Sequence, residues 1–110
     1  MCWHPYDDGS TVGTSGSEGG RILRDEEHDC GIRITLEQGG VPGAPYAITC
    51  GVYGLMVHTA YFGELTAADH AWSSMQAELL HICQLAEQPD ASFENNSPVI
   101  AACQSLVDRY

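Results

Sequence analysis

The chain has 110 residues, and 4 Lys+Arg against 15 Asp+Glu give it a formal charge of 4 − 15 = −11 and a pI near 4.4. At 11.9 kDa it suits one domain that folds to roughly 6,000 Å² of surface and buries about two-thirds of what the unfolded chain exposes. Every basic residue is an arginine (Arg21, Arg24, Arg33, Arg109), which excludes Schiff-base and P-loop lysine chemistry; the acidity disfavours nucleic acid and anionic lipid and suits a basic protein or a cation.

Five cysteines (Cys2, Cys30, Cys50, Cys83, Cys103) are an odd number with no C-x-x-C pair, which reads as neither a disulfide framework nor a zinc knuckle. The opening MCWHPYDD has acid and proline where a signal peptide carries a basic start and an apolar stretch. No window reaches the ~18 apolar residues of a membrane span. A cytoplasmic protein without membrane contact is expected.

From the N-terminus, residues 7–20 (DDGSTVGTSGSEGG) hold a single apolar side chain, Val12, and cannot bury enough surface to order themselves. Residues 1–20 therefore read as a leader that is flexible or ordered by a partner, with Trp3 and Tyr6 as its anchors, ahead of one α+β domain over residues 21–110. From Arg21 the pattern turns to period two. Ile32, Ile34 and Leu36 alternate with Arg33, Thr35 and Glu37, RILRDEE precedes them, and His28-Asp29-Cys30-Gly31 supplies a turn, so a hairpin is expected. Its wet side brings Arg33 near Asp25, Glu26 or Glu27.

Gly39 to Pro45, with two prolines and three glycines, reads as a loop. Tyr46 to Phe62 is apolar in both parities and reads as two strands joined near Tyr53-Gly54. A two-residue turn there sets Cys50 opposite Val57 and Thr49 opposite His58. Next, Thr66-Ala67-Ala68-Asp69 has capping-box spacing and opens a helix closed by Pro89, with Ala68, Trp72, Met75, Leu79, Ile82 and Ala86 as its apolar stripe. A second helix starts at Ser97 with Pro98 at its first position, and Val99, Ile100, Cys103, Leu106, Val107 and Tyr110 are expected to form its buried face. The expected fold is α+β: an antiparallel four-stranded meander followed by two C-terminal helices on one face of the sheet. The uncovered face then exposes Ala47, Met56, Ala60 and Phe62, which points to a homodimer.

Motifs for chemistry are few. Glu78-x-x-His81 is half of a di-iron step without the other half, and His70 and His81 stand about 16 Å apart along one helix, too far for one ion. Gly13-Thr14-Ser15-Gly16 misses G-x-S-x-G, and the glycines miss G-x-G-x-x-G. His28 with Glu26, Glu27, Asp29 and Cys30 is the densest ligand cluster, and His28, Asp29 and Glu27 in it are candidate ligands for a divalent cation; its ordinary reading is a hydrated hairpin tip. Cys50 and His58 are the one nucleophile and base that the pattern brings near each other, and only with a bulge at Gly51 that slips the register. Catalysis there would need Glu64 or Asp69 as orienting carboxylate and the Gly51 amide as oxyanion donor. A hydrogen-bonded core histidine is the ordinary reading of His58.

These features favour a non-catalytic acidic domain that dimerises and binds a partner protein, with no cofactor. The alternative is a small-ligand- or metal-dependent enzyme with its pocket between the Tyr46–Phe62 strands and the helices.

Overall fold

A computed structural model describes residues 2–95 and 97–110, so Met1 of the leader lies outside the described residues. The sheet is an antiparallel meander in the order β1 (Trp3–Pro5), β2 (Arg21–His28), β3 (Ile32–Val41), β4 (Ala44–Val52), β5 (Met56–Phe62). Two helices follow, α1 (Leu65–Ala86) and α2 (Pro98–Arg109). The class is α+β, as expected, but with five strands instead of four. Trp3–Pro5 pairs with Glu26–His28, and three residues ending in proline are too few to show alternation.

The β2–β3 hairpin turns on Asp29-Cys30-Gly31, with Gly31 at φ +96° where a side chain would be strained. Gly39 to Pro45 is not a loop. Strand β3 runs on to Val41 through a register shift, and Pro42-Gly43 makes a two-residue turn into Val41↔Ala44. Proline at the first central position and Gly43 at φ +82° suit a type II turn. The N-cap of α1 is Glu64, two residues before Thr66, and it makes no side-chain cap. At α2 the Ser97 hydroxyl accepts from the Ile100 amide at 3.3 Å, the cap expected there.

Both helices cover one face. Ile32, Ile34, Leu36, Ile48, Cys50 and Val52 meet Trp72, Met75, Leu79, Ile82, Val99 and Leu106 in a single core. The β4–β5 turn holds three residues, Tyr53-Gly54-Leu55, so Cys50 lies opposite His58 and Gly51 opposite Val57. This one-residue difference from the expected register reverses the parity of β5. Met56, Ala60 and Phe62 consequently lie on the helix side, packed in or against the core, and Ala47 is buried as well. The exposed apolar face from which a dimer was expected is not there.

The second face is polar, in rows that run across the strands. One is Asp25–Thr35–Thr49–Thr59, another Glu27–Arg33–Gly51–Val57, a third Ile22–Glu37–Ala47–Tyr61. Residues 6–20 lie over part of it. The Gly13 amide donates to Ile22 O at 2.8 Å and the Ile22 amide to Thr14 O at 2.9 Å, so the segment folds back against β2. Buried Glu37 then accepts from the amides of Glu18 at 3.1 Å and Gly20 at 2.9 Å. A Cβ on Gly16 would fall 2.4 Å from that carboxylate, and one on Gly40 would fall 2.4 Å from Glu18 O, so both positions need glycine for close approach. Trp3 packs edge-on against His28 with ring centroids 5.6 Å apart, and the Arg33 guanidinium stacks over Tyr6 at 3.5 Å.

Candidate functional site

The three-residue turn places Cys50 and His58 side by side without any bulge, on the helix face. Neither Glu64 nor Asp69 joins them; both are exposed. The carboxylate whose charge reaches Cys50 is Glu78, on α1. Burial, and secondarily that negative charge, pushes the Cys50 thiol from its ordinary value near 9 up to about 12. A cysteine nucleophile needs the opposite shift, so Cys50 stays a neutral thiol across the physiological range. Among the described residues, His58 Nε2 and Glu78 Oε2 are buried without a hydrogen-bond partner; Cys50 borders a groove of about 370 Å³ beside Ser15 to Ser17, which His58 does not line. The two side chains are adjacent, with Cys50 buried and His58 half-buried.

The hairpin-tip cluster disperses. His28 is 7% exposed, turned toward Trp3, and its Nδ1 accepts from the Cys30 amide at 3.3 Å. Glu27 points to the opposite face and meets His4 Nε2 at 3.2 Å, while exposed Asp29 lies 3.8 Å from His4 Nδ1. His4, overlooked in the sequence because it precedes a proline in the leader, is the histidine that these acids share. Among the described residues, the group of metal-ligating side chains whose donor atoms lie within 4.8 Å of one another is Cys30, Cys83 and Glu87. Here Cys30 and Cys83 form a disulfide across 53 residues, a pairing that no spacing rule reveals.

Beneath the leader, the Asp25 side chain is fully buried. It accepts from Arg33 Nε at 3.0 Å and Nη2 at 2.6 Å, from Thr35 Oγ1 at 3.0 Å and from Thr11 Oγ1 at 2.9 Å. The hydrogen bonds that Arg33 donates to Asp25 raise its pKa above the ordinary value. Arg33 is therefore a structural cation, and it forms one wall of the largest groove.

That groove, about 700 Å³, lies at the turn end of the polar face. Its floor follows the row Glu27–Arg33–Gly51–Val57, where Gly51 has no side chain to fill it, and Tyr6 and Tyr53 stand at its sides. Tyr53 is 93% exposed and Val57 79%. A second groove of about 410 Å³ adjoins it across Tyr53-Gly54-Leu55, bordered by Cys30, Cys83, Glu87 and exposed Phe93. This is the position in which the enzyme alternative expected a pocket, at the outer end of the strand–helix junction, and neither Cys50 nor His58 lines it. Each of these two grooves has one acid in its lining, Glu27 in the larger, where Arg33 also stands, and Glu87 in the smaller. No protein-family model, curated protein or solved structure matches the chain. Among the described residues, no helix is long and apolar enough to cross a membrane.

Proposed function

We propose that the chain is a non-catalytic protein-binding domain whose turn end takes a basic, arginine-bearing segment of a partner protein. The observation that carries this reading is the juxtaposition at the largest groove: two nearly bare apolar side chains, Tyr53 and Val57, beside a glycine-floored depression lined by Glu27 and by Arg33, whose guanidinium is already neutralised by Asp25. A guanidinium is the side chain that satisfies both halves, stacking on a tyrosine ring and hydrogen-bonding a carboxylate. The net charge of −11 steers such a partner in from a distance. Homodimerisation, expected from the sequence, would have to use the same Tyr53 and Val57 edge and would bring two chains of charge −11 together, so a basic partner is the better occupant. The raised thiol of Cys50 supports a binding role over the enzyme alternative.

The test is binding of a fluorescent arginine-rich peptide, followed by anisotropy at several ionic strengths. Binding should weaken with salt, and Tyr53→Ala should weaken it by about tenfold or more, as an exposed aromatic anchor does. Gly51→Leu should abolish it with the fold intact, because a side chain there points into the groove and the nearest atoms to its Cβ are 3.4 Å away or more. Affinity unchanged by both substitutions would contradict the reading.

A further inference from the structure

We propose that Cys30, Cys83 and Glu87 form a redox-gated site for a thiophilic divalent cation of the Zn2+ class, closed while the two sulfurs are joined and open once a dithiol has reduced them. Two elements build it. Cys83 and Glu87 are one helical turn apart at the end of α1, so both project from one face, and Glu87 Oε1 lies 3.6 Å from Cys83 Sγ. Cys30 comes from the β2–β3 turn, and all three donor atoms lie within 4.8 Å of one another. Two thiolates with a carboxylate select zinc-like ions over Mg2+ or Ca2+. Three protein ligands leave one tetrahedral position for water, and the groove of about 410 Å³ that all three residues border gives that position access to solvent.

The chemistry balances. A small dithiol gives two electrons and two protons to the Cys30–Cys83 bond and closes to its own cyclic disulfide, leaving two protein thiols. Cation binding then displaces the thiol protons to solvent as two metal–sulfur bonds form. A disulfide oxidant reverses both steps and releases the ion. Either cross-link, sulfur–sulfur or metal, holds the β2–β3 turn against the end of α1.

The experiment uses the full chain, reduced with dithiothreitol, freed of excess reductant under anaerobic conditions and titrated with Co2+ alone. The reduced protein should bind a single Co2+ with thiolate-to-cobalt charge-transfer absorption that Zn2+ removes, and the disulfide form should show none. Cys30→Ser and Cys83→Ser should lose the band. Glu87→Gln, at an exposed position that leaves the core untouched, should weaken binding at least about tenfold, since even changes outside the ligand set do as much. The proposal is overturned by absence of the band, by a band that persists in Cys30→Ser and so belongs to other thiols, by equal affinity in Glu87→Gln, or by loss of far-UV helical signal on reduction.

Discussion

Asp25 holds more of the polar face together than any of its neighbours, because its fully buried carboxylate accepts from Arg33, Thr35 and Thr11 at once. Breaking a buried ion pair from one side is strongly destabilising, but Arg33 is 43% exposed and regains water when its partner leaves. Asp25→Ala is therefore expected to lower stability by about 2–4 kcal/mol in urea unfolding, below the upper range for a fully buried pair. Cys50 makes a prediction of different form. Its thiol ionises near 9 in the unfolded chain and at about 12 in the fold, so between those limits the unfolded state has lost a proton that the native state keeps. Stability should be unaffected by this group below pH 9 and should fall as pH rises toward 12, by at most about 1.4 kcal/mol per pH unit. Urea midpoints measured through that range should fall less in Cys50→Ala, with the remainder due in part to Cys103, whose thiol burial also raises. Alkylation of native protein near neutral pH should reach exposed Cys2 and spare Cys50.

The β2–β3 hairpin and both helices were legible because their signals are local: alternation from Ile32 to Glu37, an apolar stripe from Ala68 to Ala86, and Ser97-Pro98 at a helix start. The parity of β5 was not. It depends on whether the β4–β5 turn holds two residues or three, which Tyr53-Gly54-Leu55 does not declare, and one residue moves Met56, Ala60 and Phe62 from the solvent face to the core. The packing of residues 6–20 was equally hidden. Composition measures what a segment can bury on its own, whereas this one is laid on the sheet by backbone amides donated to Glu37, a side chain 17 to 19 residues further on. The link between Cys30 and Cys83 likewise spans the meander and most of α1. Closing so long a loop stabilises by restricting the unfolded chain, so reduction should lower the free energy of unfolding by about 2–4 kcal/mol, measured by urea titration with and without a dithiol. A change below about 0.5 kcal/mol would mean that the connection between hairpin and helix rests on packing alone.

Taken as one body, the molecule has two unlike sides. The helix side holds the core, with Cys50 buried in it and half-buried His58 beside it. The polar side is partly roofed by the leader and open at the turn end, where Tyr53, Val57 and the Gly51 floor meet Glu27 and Arg33. Acidity was readable from composition, since charge is a sum over residues. The largest groove was not, because it arises from three segments distant in sequence: Tyr6, the row from Glu27 to Val57, and the β4–β5 turn. Strand β5 pairs only with β4 and ends the sheet, so an incoming segment that reaches Val57 and Tyr61 also lies along an edge suited to strand addition. The most direct test of this binding role is a residue-resolved NMR titration of the oxidised full chain with an arginine-rich peptide. Amide shifts confined to Gly31, Gly51 to Val57 and the outer edge of β5, declining with added salt, are the predicted result. Shifts spread evenly over the acidic surface, or absent from the Tyr53 turn, would contradict it.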